Sequence, residues 1–213
     1  DAPYEVLALP NVTLDEDTSV DTALNVSDYF NDVDNTTAEL VFTFTPSDAN
    51  VDIYLSPSNT IVVNASNDFN GDVNVDVTVS DGEYIVPMSS FTITVASVND
   101  APVIASVLGN ITLNEDSTFT TTIDVTTLFS DVDLDVLTYN LSTDNADVTA
   151  YLNGNLIEVT ASNNFFGNVT LTVTATDTGN ASASQSSTIS VNASNDPAIF
   201  SGTVPDMTIG DTD

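Results

Sequence analysis

Asp72-Val73-Asn74-Val75-Asp76-Val77-Thr78-Val79 decides the fold class of this chain. Apolar and polar residues alternate strictly, so an extended segment would carry valine on one face and Asp, Asn and Thr on the other. A helix would scatter the same valines around its circumference. Val169, Leu171, Val173 and Ala175 repeat the scheme in the second half of the chain. Similar alternation covers 20–26 and 119–125, 40–44 and 137–141, 61–65 and 157–161, and 91–95. Thr, Val and Ile dominate these runs, and Asn, Asp, Gly and Pro punctuate them. No stretch carries a 3.6-residue apolar stripe. The chain reads as all-β.

The pairing of runs reflects an internal repeat. Asp1-Ala2-Pro3 recurs as Asp100-Ala101-Pro102, and Asn99-Asp100 recurs as Asn195-Asp196 before Pro197. Asn11-Val12-Thr13-Leu14-Asp15-Glu16-Asp17 matches Asn110-Ile111-Thr112-Leu113-Asn114-Glu115-Asp116. Asp32-Val33-Asp34 and Asp131-Val132-Asp133 each begin 31 residues after their junction Asp. Ala65-Ser66-Asn67-Asp68-Phe69-Asn70-Gly71 matches Ala161-Ser162-Asn163-Asn164-Phe165-Phe166-Gly167, and Asp81 matches Asp177. The expected division is repeat one at 1–98, repeat two at 99–195, and a third start or a donor-strand tail at 196–213. About seven short strands per repeat describe tandem β-sandwiches of the immunoglobulin or cadherin type.

Composition narrows the function. The 213 residues include 32 Asp plus Glu and no Lys, Arg or His, a formal net charge of −32. Side-chain salt bridges are therefore impossible, and hydrogen bonds, water or metal ions must offset the carboxylates. Nucleic acids and anionic membranes are disfavoured as partners. No apolar run reaches the roughly 20 residues of a membrane helix. Cysteine is absent, so the redox compartment is not legible. With no initiator Met and no signal peptide, the chain is expected to be a mature or excised segment of something longer.

Threading seven strands up and down places the acids. Glu16-Asp17 in the turn after the first strand and Asp68 in the loop before the sixth fall at the end of repeat one that leads into Asn99-Asp100. Asp131, Asp133 and Asp177 fall at the start of repeat two. Oxygen-only ligands at such density suit Ca²⁺, which takes about six to eight of them, better than Mg²⁺. Two plainer readings compete: Asp and Asn are common turn formers, and an acidic surface is an adaptation to salt. The second explains the missing cations but not the fixed loop positions.

In these motifs and their order the chain resembles the cadherin-like repeats of large bacterial and archaeal surface proteins, joined through Asn-Asp-x-Pro. The resemblance implies a calcium site that uses Glu16, Asn99, Asp100, Asp131 and Asp133. Asp68 is a looser match, because the family has two acids in that loop. Threading adds Asp17 and Asp177. At the outer junctions the corresponding set is Asp1, Asp32, Asp34, Asp81, Glu115, Asp116, Asn195 and Asp196. Asn163-Asn164 stands where repeat one has Asn67-Asp68, which weakens the forecast at Asn195-Asp196.

Other motifs carry less. Asp131-Val132-Asp133-Leu134-Asp135 opens like an EF-hand but lacks the required Gly and Glu at later positions. Asp177-Thr178-Gly179 spells an aspartic-protease triplet, yet its counterpart in repeat one is Ser80-Asp81-Gly82, so a turn between the last two strands is expected. Without His, Lys, Arg or Cys, catalysis would fall to carboxylate pairs, Ser, Thr and Tyr, and no Trp marks a sugar cleft. Nine Asn-x-Ser/Thr sequons, at Asn11, Asn25, Asn35, Asn64, Asn110, Asn140, Asn168, Asn180 and Asn192, make glycosylation a further expectation. The reading is a non-enzymatic structural or adhesive module of an extracellular, cell-surface protein such as an adhesin, surface-layer protein or filament. In it, calcium stiffens the repeats into a rod. Its partners are adjoining repeats, other copies, surface glycans or receptors. The alternatives are a fibre subunit joined by strand exchange through the tail and a carbohydrate-binding module.

Overall fold

The computed structural model describes residues 1–198. Two compact units divide between Asp100 and Ala101. Asn99 and Asp100 therefore close the first unit, whereas the repeat pattern had them open the second. Among the described residues every regular element is a strand or a short 3-10 turn, as the period-two pattern dictates.

In the first unit the strands are β1 (Tyr4–Glu5), β2 (Val12–Asp15), β3 (Ser19–Asn25), β4 (Phe30–Asn31), β5 (Val41–Pro46), β6 (Val51–Leu55), β7 (Thr60–Ala65), β8 (Gly71–Ser80), β9 (Ile85–Pro87) and β10 (Phe91–Ala96). One sheet has the order β2-β10-β8-β5, with β9 also on β8; the other has the order β3-β7-β6. The first strand of the plan is split: β1 pairs with β4, and β2 runs parallel to β10. The four valines of β8 all face inward, with Val73, Val75 and Val79 fully buried and Val77 1% exposed. They pack with Ile61 and Val63 of β7 and Ile93 of β10. Burying each such side chain contributes about 1.5–3 kcal/mol.

The second unit repeats the plan with β11 (Val103–Ile104), β12 (Ile111–Asn114), β13 (Thr118–Asp124), β14 (Phe129–Ser130), β15 (Thr138–Thr143), β16 (Val148–Asn153), β17 (Leu156–Ala161), β18 (Gly167–Thr176) and β19 (Ser182–Asn192). Its sheets are β12-β19-β18-β15 and β13-β17-β16. Val169, Leu171, Val173 and Ala175 of β18 fill the core with Ile157, Val159 and Ile189. Here β19 is continuous, pairing with β18 from Ser182 to Val191. In the first unit β9 and β10 share that place.

Each β-sandwich has loops at two ends, and the backbone of those loops is specialised. Asp17 and Asp116, after β2 and β12, adopt left-handed φ of 59° and 58°; Asp68 and Asn164, before β8 and β18, adopt 57° and 61°. Asp and Asn tolerate this region better than other side chains. Gly71 and Gly167, at φ of 136° and 142°, occupy a conformation that glycine alone adopts readily.

Candidate metal centres at the acidic corners

At the end of the first unit where the chain leaves it, β2 runs into the buried Glu16, 2% exposed. Its backbone N–H donates to Ala96 O at 2.9 Å, and its Oε1 accepts the N–H of Val98 at 2.7 Å. Beside it, the N–H of Asp68 donates to Asp17 Oδ1 at 3.0 Å, joining two loops 51 residues apart. Carboxylate oxygens of Asp17, Asp68 and Asp100 lie within 4.8 Å of one another. Asn99 Nδ2 donates to Asp100 O at 3.2 Å.

The second unit has the same corner. Glu115 is 5% exposed. Its N–H donates to Asn192 O at 3.0 Å, and its Oε1 accepts the N–H of Ser194 at 2.6 Å. Asp116 Oδ1 accepts the N–H of Asn164 at 3.2 Å, so Asn supplies the backbone contact that Asp68 makes but contributes no charge. Asn195 Nδ2 donates to Asp196 O at 3.4 Å. Asp116, Asn163, Asn164, Asp196 and Pro197 line a cleft of about 300 Å³. Partial desolvation, then the charges of Asp116 and Glu115, hold the Asp196 carboxyl above its ordinary range.

The opposite end of each unit carries a second acidic corner. In the first unit Asp32, 7% exposed, accepts the N–H groups of Asp34 at 2.7 Å and Asn35 at 2.8 Å through Oδ1. Its Oδ2 is buried without a hydrogen-bond partner. The backbone nitrogen of Asp1 donates to Asp34 Oδ2 at 2.8 Å. Hydrogen bonds from Tyr84 N–H and Glu83 N–H hold Asp81 below the usual carboxylate range.

In the second unit Asp131 Oδ1 accepts from Asp133 N–H at 3.0 Å and Asp135 N–H at 3.4 Å. Its Oδ2 is buried without a partner. Asp177, 5% exposed, accepts the N–H of Ala181 at 2.8 Å, which closes the β18–β19 turn and explains the Asp-Thr-Gly triplet as turn chemistry. Oxygens of Asp131, Asp135 and Asp177 lie within 4.8 Å of one another. Asp135 was missing from the residues expected to ligate. Its only trace in the sequence was the third acid of the Asp-x-Asp-x-Asp run.

The donor sets fit a hard cation. All are carboxylates, and buried unpaired oxygens such as Asp32 Oδ2 carry a large desolvation cost when no cation or proton faces them. Three carboxylates leave room for the water or carbonyl ligands that complete a calcium shell. The chain has no His and no Cys, the ligands that zinc and copper sites mainly use.

Three sequon asparagines have structural duties. Asn11 and Asn110 accept the N–H of Thr92 and Thr188, at 2.9 and 3.1 Å. Asn25 caps the 3-10 turn Val26–Asp28 and donates to Ser58 O. Asn64, Asn140 and Asn168 project from exposed strand positions.

A family profile agrees with this architecture over the second unit. The profile of the bacterial Ig domain family, Big_9, matches residues 99–190. No curated protein matches the sequence. Among solved structures, the chain is similar to an endo-fucoidan hydrolase of glycoside hydrolase family 107 at 21% identity and a TM-score of 0.40, covering 91% of this chain and 29% of that one. It is also similar to the extracellular cadherin domains 1–4 of Protocadherin Gamma B7, at 16% identity and a TM-score of 0.48, covering 92% of this chain and 52% of that one. The tandem Ig repeats of Dlar match at 10% identity and a TM-score of 0.31, covering 91% and 99%. The chain thus spans well under two thirds of the hydrolase and protocadherin structures.

Proposed function

We propose that this chain is a non-enzymatic module of an extracellular surface protein, and that calcium stiffens its connection from one unit to the next. Glu16, Asp17, Asp68, Asn99 and Asp100 would contribute from the end of the first unit. Asp131, Asp133, Asp135 and Asp177 would contribute from the start of the second, with only Ala101-Pro102 between Asp100 and β11. The observation that carries the reading is the gathering of Asp17, Asp68 and Asp100 from three separate loops in a chain that has no basic side chain to neutralise them. Pro102 limits the linker further, because its ring fixes φ. The match of residues 99–190 to a bacterial Ig domain supports the extracellular placement. Among the described residues no helix is long and apolar enough to cross a membrane.

Calorimetric titration of chelator-stripped protein with CaCl₂, and with MgCl₂ and NaCl at matched ionic strength, tests this proposal. Saturable heat for calcium is expected, with a melting rise that grows with concentration; at 100 times the dissociation constant the gain is about 2.7 kcal/mol. Asp100→Asn and Asp135→Asn should each weaken binding. Identical melting in calcium and in sodium, together with superimposable scattering profiles with calcium and chelator, would overturn the reading. The strand-exchange alternative depends on the tail, whose residues beyond 198 lie outside the described residues. For a glycan-binding face, the exposed aromatics Tyr4, Tyr54, Tyr84, Phe119, Tyr151 and Phe166 are spread over both units.

A further inference from the structure

In each unit the first and last long strands lie side by side and parallel. β2 pairs with β10 from Val12↔Ile93 to Asp15↔Ala96, and β12 pairs with β19 from Ile111↔Ile189 to Asn114↔Asn192. The chain therefore enters the ladder at one end and leaves it at the other. Tension along the chain drives the two strands past each other along their own axes, so the ladder bonds are loaded together. If both forces acted at the same end, the bonds would open one at a time.

At the exit end the ladder continues past its last strand pair. Glu16 N–H donates to Ala96 O, and the next link is made by a side chain, with Val98 N–H donating to Glu16 Oε1 at 2.7 Å. The second unit repeats both links, the side-chain one from Ser194 N–H to Glu115 Oε1 at 2.6 Å. Both carboxylates are buried. The turn beyond each Glu is held as well, by Thr18 Oγ1 donating to Asp15 O and Ser117 Oγ donating to Asn114 O. A buried Glu that served only to fill its turn would not need to reach the segment leaving the unit.

We infer that Glu16 and Glu115 are force-bearing latches that tie the segment leaving each unit to the end of its first strand, so that each unit resists being pulled apart along the chain. This goes beyond the calcium reading and does not rest on it, because both partners of each latch lie in one unit and bond directly.

Single-molecule force spectroscopy on the full chain in the presence of chelator tests the inference. No cysteine is present, so cysteines added at the two ends are unique handles. Two unfolding events are expected under constant force. Glu16→Met keeps the bulk but removes the acceptor, and should shorten the lifetime of one event about tenfold. Glu115→Met should shorten the other, while Gln at either position keeps an acceptor oxygen and should restore most of the lifetime. Val63→Ala, in the opposite sheet, should lower the melting temperature while shortening the lifetime far less.

A second measurement needs no latch variant. Moving the first handle to Ser19→Cys, at the exposed start of β3, puts both forces at the same end of the β2–β10 ladder, and the first unit should then open at clearly lower force. Parental lifetimes in both Met variants, equal shortening by Val63→Ala, or equal force in the two pulling geometries would each overturn the proposal. Parental lifetimes in the Met variants would leave the calcium reading standing, and a failure of calcium to bind would leave the latch standing.

Discussion

Glu158 shows how single residues manage charge in a protein without basic side chains. On the outer face of β17 it accepts hydrogen bonds from Tyr151 OH, from Thr120 Oγ1 at 2.7 Å and from Asn153 Nδ2 at 2.9 Å. The Tyr151 bond first, then those of Thr120 and Asn153, hold its carboxyl below the ordinary range. The same bond to Glu158 raises the Tyr151 phenol. A depressed carboxyl stabilises the fold fully above its unfolded pKa of about 4.3, and that contribution is lost as pH falls through the folded value. Tyr151→Phe should therefore move the Glu158 titration, followed by NMR, back up towards ordinary glutamate; an unmoved midpoint would show that the bond does not form. Leu134 is the opposite case, a residue at odds with its backbone. It is 88% exposed and sits at φ 62°, where a branched side chain is strained. Leu134→Asn should raise stability by up to about 1 kcal/mol in thermal melts.

At the scale of elements, burial follows the alternation closely. Leu171 in β18 is fully buried, and Leu171→Ala should cost about 2–5 kcal/mol. The loss should appear in amide exchange of the second unit only, since the two units have separate cores. The pattern revealed β8, β18, β7 and β17 because each has one wholly apolar face. It did not reveal β6 or β16, where Asp52 and Tyr54, or Thr149 and Tyr151, break the contrast between faces. Nor did it show β19 reaching back to Ser182, since its first half is Ser, Ala and Gln. There strand length is set by the backbone partner offered by β18. The turn asparagines and aspartates were legible as loops, but their left-handed backbone was not.

For the chain as a whole, a charge of −32 opposed by no basic side chain makes stability sensitive to the ionic medium. Screening shortens the range of repulsion to about 10 Å at 0.1 M salt. NaCl should therefore raise the melting temperature, and CaCl₂ at equal ionic strength should raise it further; coincident curves for the two salts would leave screening as the whole effect. The sequence by itself determined the all-β character, the two-fold repetition, the uniformly negative charge and the loops in which the acids fall. These follow from a period-two pattern and a composition, both of which are local. Only the tertiary structure decided which acids meet. The pairing of Asp17 with Asp68, the choice of Asp135 beside Asp131 and Asp177, and the reach of Glu16 to Val98 all depend on strand register and loop path. Those are set by how distant segments pack on a shared core, and a one-residue change in register turns a strand's side chains to the opposite face.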